Sequence, residues 1–447
     1  MSGKYKNANA QCNPCLGTAF YTEINRVQAY ISFEEEWFLR HRTLFVPLLA
    51  LVLTALASPL AAAVDLTVWV QSDIRREQFQ FITDWYRQEN PNVNIDLQQI
   101  TGSQAEFTQK LTLAIASGAP PDVTWLEGST VIEFAAQGLL TDLTRVLEDL
   151  RFTPADTQEM TYKGRIWAVP YHTTSRGLLK RVDLFNAAGL DPEAEATSLD
   201  DLWRWNQVLT VMNPDGSYAR VGIIPWVGNW GAPAWMWTFG GTLLDETGLR
   251  PTATHPKNIE AFEWLLEWGE LYGNRAPVTG GYTGFATGTI AMVTESTTSA
   301  GRAMMDGLEF TTGRVPHPPG GANGTWGGGQ AVGVPSNAPN MDEAIKLARY
   351  FGLDRVQERR FRTSPEAFPA AWDALQAIVP DLPPAYQSLL AQLPEARPRT
   401  PLWIDYYVNN LTPRLNDVIA GRITPQQALQ QVQQVMEVRF AEVFGND

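Results

Sequence analysis

The run VDLTVWVQSDIRREQFQFITDWYRQENPNVNIDLQQI, residues 64–100, sets the architecture. Its first seven residues alternate β-branched and aromatic side chains as a strand does. Gln71, Ser72 and Asp73 then supply an N-cap, and Phe79, Ile82, Trp85 and Tyr86 recur at helical spacing until Asn90-Pro91 stops the helix. Residues 92–100 alternate again. Together they form a β-α-β unit, whose parallel strands must be joined by a right-handed crossover.

Downstream the rhythm continues with a helix over 105–117, ended by Gly118 and Pro120-Pro121, a short strand over 122–126, and a helix through Phe134. Strands alternating with helices argue for a doubly wound α/β lobe, in which ligands bind beyond the carboxyl ends of the strands. That rule points to residues 71–73 and 127–130. From Tyr162 the chain changes character: a Gly turn, a strand to Val169, Pro170, a polar crossing and an apolar strand over 177–179. Such a segment reads as a passage between lobes. Further helices are expected over 198–212, 260–271, 342–351 and 425–444, with strands over 286–294 and 331–335.

Upstream, residues 40–63 read RHRTLFVPLLALVLTALASPLAAA, a basic start, an apolar stretch and small residues of the A-x-A kind, the pattern of a cleaved secretory signal. A membrane anchor needs about 18 or more apolar residues, and this run breaks at Ser58-Pro59 before Asp65. Signals normally begin a chain, so residues 1–39, which hold Cys12, Cys15 and the acidic Glu34, Glu35 and Glu36, are read as a mis-assigned start or a disordered extension. Beyond Ala63 there is no cysteine, which rules out disulfides and thiol catalysis there.

With 447 residues, 44% of them hydrophobic, the chain is expected to build more than one domain. A net charge of -14 argues against nucleic acid as a partner, since binding phosphate backbones needs clustered Lys and Arg. His172, His255 and His317 lie far apart in no metal-ligand spacing, so no metal is expected. Neither a G-x-S-x-G elbow nor a phosphate-cradling Gly loop with its Lys occurs, and no cofactor is expected. A carboxylate pair of the glycosidase kind stays open, because 48 acidic residues offer many candidate pairs.

Aromatic usage is the feature left over. Trp85, Trp203, Trp264, Trp268 and Trp372 sit at helical spacing and read as core, whereas Trp125, Trp226, Trp230, Trp326 and Trp403 sit in Gly-, Asn- or Pro-rich surroundings. A pyranose has an apolar face and a rim of hydroxyls, so a sugar site wants flat rings with planar polar groups around them. Trp230 in GNWGAP and Trp326 in GTWGGG are therefore read as ligand contacts, on the argument that flanking glycines leave a ring exposed.

In order and spacing, the opening strand LTVWV, the stretch LTLAIASGAPPDVTWLEGSTVIEFAAQGLLTDL (111–143), the crossing YKGRIWAVPYHTTSRGLLKRVDLFNAAGL (162–190), FGGTLLDETG (239–248), FATGTIAMV (285–293), GGGQAVGVPSNAP (327–339) and GRITPQQAL (421–429) resemble the extracellular solute-binding proteins of ABC sugar importers, family 1, which include maltose- and trehalose-binding proteins. The resemblance implies a type II periplasmic-binding-protein fold: two α/β lobes, each a doubly wound sheet flanked by helices, with the ligand in the cleft between them and closure by hinge motion. It places residues 64–171 and 288–365 in an N-terminal lobe, and 172–287 and 366–447 in a C-terminal lobe. It implies a non-enzymatic, monomeric substrate-binding component outside the inner membrane. That component captures a disaccharide or short oligosaccharide such as an α-glucoside and delivers it to permease subunits. The tail of the leader reads AAAV and offers no cysteine for lipidation.

Carried over residue by residue, the resemblance puts Gln71, Ser72 and Asp73 at the cleft edge, and Glu127 and Ser129 where sugar hydroxyls are held. His172, Thr173, Thr174 and Arg176 fall in the crossing, Trp230 at a stacking position before Gly240-Gly241, Trp326, Gly327 and Gly328 in a ligand-facing turn, and Arg397 with Trp403 in the C-terminal stretch. Bland readings stand beside these: His172 as a hydrogen-bonded hinge residue, Glu127 as a helix cap, Trp125 as core. Arg176 also admits an anionic solute such as glycerol phosphate, because guanidinium matches carboxylate or phosphate bidentately. An exported glycoside hydrolase is the third reading.

Overall fold

The chain is seen in a computed structural model that describes residues 63–272 and 280–445, apart from the side chains of residues 73 and 74. The expected signal, extension and Cys12–Cys15 pair lie outside the described residues. From Ala63 onward the chain groups into one unit.

β1 (Val64–Val70) buries Leu66, Val68 and Val70 on one face, the alternation expected of a half-covered strand. α1 (Asp73–Glu89) returns the chain, burying Phe79 and Ile82, and Asn90 closes it before Pro91. β2 (Val93–Gln99) then runs parallel to β1, with Val64 beside Val93 and Val70 beside Gln99. α2 (Gln104–Ala116) opens with a reciprocal capping box between Ser103 and Glu106. β3 (Val123–Glu127) joins the other edge of β1, also parallel. α3 (Pro154–Met160) starts at a Thr153 cap.

β4 (Val169–His172) and β5 (Arg176–Arg181) lie in different sheets, separated only by Thr173, Thr174 and Ser175. The helix α4 (Gly231–Thr238) is buried along its whole length. β6 (Met292–Ser296) leads into α5 (Thr297–Met305), followed by β7 (Phe310–Gly313) and β8 (Gln330–Gly333). The sheet orders are β2-β1-β3-β8-β4 and β6-β5-β7. Each sheet carries its own apolar core, one holding Leu66, Phe79, Trp125 and Val332, another Leu178, Trp235, Trp268 and Met292. The last helix, α6 (Pro425–Phe444), has the bounds the sequence predicts, set by a Thr424–Gln427 capping box with Pro425 in its first turn.

The α/β class holds, with two corrections of detail. The strands of the second sheet are antiparallel, β6 and β7 flanking β5, so that sheet is not wound like the first. Residues 292–296 and 310–313, expected with the N-terminal lobe, pair with β5; the chain returns to the first sheet only at β8. An apolar strand pattern records burial but not which sheet supplies the partner.

Candidate functional site

Three segments pass between the sheets side by side. Thr173 N–H donates to Phe368 O at 2.8 Å, the Thr174 hydroxyl donates to Gly328 O at 2.8 Å, and the Arg176 N–H donates to Thr325 Oγ1 at 3.1 Å. This close packing is what the Gly327-Gly328-Gly329 run serves. A Cβ on Gly329 would lie 1.9 Å from His172 O, and one on Gly328, where φ is +91°, would lie 2.3 Å from the Glu159 carboxylate.

Beside these segments a cleft of about 730 Å³ opens between the ends of the two sheets. Its walls include Glu127, His172, Thr174, Arg176, Trp326, Gly328 and Trp403 from the expected set. The sequence reading missed Arg75, Gln78, Asn229, Arg302, Gln330, Glu366 and Arg399, all of which line it.

Arg399 is the electrostatic centre. It is buried, and its guanidinium makes a two-point contact with Glu159, a second pairing with Glu127, and a bond to Gly329 O at 2.5 Å. Burial opposes its charge, but Glu159 and Glu127 more than offset this and hold it protonated above the ordinary arginine range. Asp156, one turn before Glu159 on α3, is pushed up to about 7 by burial and then by the Glu159 charge.

The Arg176 guanidinium carbon sits over the Trp326 indole, 3.2 Å from the ring centroid, and its Nη1 donates to Thr174 Oγ1 at 2.6 Å and Trp326 O at 3.0 Å. Burial, with the Arg399 charge adding, lowers it to about 9. Trp326 in turn meets Trp403 at 5.1 Å, and Trp403 is backed by Trp237 in a stack of 6.0 Å and 16°. Burial holds His172 well below the usual imidazole range, so the ring is neutral, and it raises the Glu295 carboxyl.

The other expected residues sit elsewhere. Gln71 bonds Gly102 O at 2.9 Å, Ser72 accepts from Arg75, and the side chain of Asp73 is outside what is described. Ser129 and Thr173 are buried away from the cleft. Gly327 bonds Arg397 O through its backbone, and the Arg397 side chain lines a separate recess of about 550 Å³ with Trp237. Trp230 is 0% exposed and packs 6.2 Å from Trp235 in the second core. Its neighbouring glycines mark close backbone approach: Gly228 stands against Thr294 O and Gly231 against the Tyr407 ring, both at positive φ.

The profile of the family described as bacterial extracellular solute-binding protein matches residues 71–358. Among curated proteins, a binding protein of Brucella abortus is 23% identical over 320 residues, covering 67% of this chain and 74% of that one. Among solved structures, CpMnBP1 with mannotriose bound superposes with a TM-score of 0.73 at 22% identity, over 84% of this chain and 100% of that one. The maltose/maltodextrin-binding domain MalE of Bdellovibrio bacteriovorus, bound to maltotriose, gives 0.70 at 19%, over 84% and 99%. At these identities the structural likeness speaks to the fold. Among the described residues no helix is long and apolar enough to cross a membrane.

Proposed function

The chain belongs to the bacterial extracellular solute-binding proteins, and on that premise we propose that it captures a neutral disaccharide or short oligosaccharide in the cleft and delivers it to the permease subunits of an ABC importer. The family is extracytoplasmic, and residues 40–63 fit a cleaved signal that would export the chain. Two lobes, one built on each sheet, close about the three crossings, and the monomer acts by binding alone.

One observation carries this reading. Trp403 lines the cleft together with polar groups whose positions are already fixed by the protein: Glu127 by Arg399, Thr174 by Gly328, Arg176 by Trp326. A sugar is recognised by such a mixture of a flat apolar face and preset donors and acceptors. The bound sugars of CpMnBP1 and of the Bdellovibrio protein are of the same class. Bound ligand touches both lobes only when they close, and that difference in affinity is the mechanism.

A second reading, an anionic solute, is favoured by Arg75 and Arg176, which line the cleft without a carboxylate partner among the described residues. A thermal-shift panel separates the two: maltose, maltotriose, mannobiose and mannotriose against glycerol phosphate and sugar acids. Ligand at 100 times its Kd adds about 2.7 kcal/mol to stability. Stabilisation by neutral sugars supports the proposal, and stabilisation by anions alone replaces it. Release of chromophore from an aryl glycoside would instead mark a hydrolase.

A further inference from the structure

Gln330 opens β8 with its backbone held on both sides, opposite Glu127 and opposite His172. Its side-chain oxygen receives three donors: Trp125 Nε1 at 3.0 Å, Tyr171 OH at 2.6 Å and His172 Nε2 at 3.2 Å. An indole N–H only donates, so the amide cannot be turned round without aiming N–H at N–H. The neutral His172 ring must then carry its proton on Nε2, which agrees with a buried Nδ1 that has no partner. With the oxygen so enclosed, the amide nitrogen is the free end, and Gln330 lines the cleft.

We infer that Gln330 is a specificity-determining residue, whose Nε2 presents a fixed N–H donor to an acceptor oxygen of the bound ligand. The inference rests on the cleft being the sugar site. Three buried donors behind the amide hold the donor in place, so the site favours ligands that put an acceptor oxygen there and disfavours those that put an N–H or an apolar group there. Nothing in the sequence marks the role: Gln330 is one polar residue at the head of an apolar strand, and Trp125 lies 205 positions away.

The test is Gln330→Glu, titrated calorimetrically with the neutral oligosaccharide of the panel above that binds the wild-type chain most tightly, beside thermal denaturation without ligand. One glutamate oxygen still accepts from Trp125, Tyr171 and His172, while the other turns an acceptor toward the ligand. Kd is expected to weaken about tenfold to a hundredfold with the unliganded Tm nearly unchanged. An unchanged Kd overturns the inference, and so does a Tm that falls as far as in Gln330→Leu, which strands all three donors. Trp403→Ala separates the two levels. If it loses binding while Gln330→Glu does not, only the donor role falls; if both bind as wild type, the ligand is not in this cleft.

Discussion

Arg399 and Glu159 are matched face to face, Nε to Oε1 at 2.9 Å and Nη2 to Oε2 at 2.8 Å, with both side chains out of water. The Arg399 backbone N–H also donates to Oε1 at 2.8 Å, so Glu159 pins the C-terminal stretch just before Trp403. Glu159→Ala leaves a buried guanidinium with only Glu127 to answer it. Removing one partner of such a pair costs about 3–5 kcal/mol, to be read as a lower midpoint in urea denaturation. An unaltered midpoint would show that the stretch is held by packing alone.

Asp156 gives the chain a pH dependence of unusual sign. Its folded-state pKa, raised to about 7 by burial and the Glu159 charge, exceeds the unfolded value of 3.8. Between those two the folded state holds a proton that the unfolded state has released, so stability from this group falls as pH rises from about 4 to 7, by up to about 1.4 kcal/mol per pH unit. Asp156→Asn should flatten that slope and raise stability at pH 8, measured by denaturant melts across the range. A slope identical to wild type would assign the effect to other groups.

The opening β-α-β unit was legible because strand and helix periods alternate there without interruption, and α6 because both its cap and its apolar stripe are local. The site was half legible. Arg399 carries no local signal, since its partners Glu127 and Glu159 lie 272 and 240 positions away. Trp230 misled for the opposite reason. Flanking glycines suggest an exposed ring, whereas here they let the backbone approach Thr294 and Tyr407 closely while the ring lies in the core. Trp326 lines the cleft, but the guanidinium of Arg176 already covers one of its faces.

The crossings tolerate no side chain at Gly329. Its added Cβ would meet His172 O, a backbone atom held in β4, so neither partner can give way cheaply. Gly329→Ala is expected to destabilise by about 1–3 kcal/mol or more and to weaken ligand binding as well, since His172 and Gln330 flank the displaced bond. By contrast Gly164→Ala, at positive φ with open space around it, should lower stability by about 1 kcal/mol through backbone strain alone and leave binding intact. Equal losses of binding in the two variants would refute the argument.

Arg176 decides between the two ligand classes, because it is, with Arg399, one of the two buried cations of the cleft wall and sits over the Trp326 ring. If the ligand is a neutral sugar, Arg176 acts by shape and hydrogen bonds, and Kd should stay flat between low and high salt, where screening lengths shrink from about 30 Å to about 3 Å. Arg176→Lys then weakens binding about tenfold despite keeping the charge, since a compact ammonium cannot cover the Trp326 indole as a planar guanidinium does. If the ligand is an anion, Kd weakens steadily with salt and Lys rescues most of the affinity.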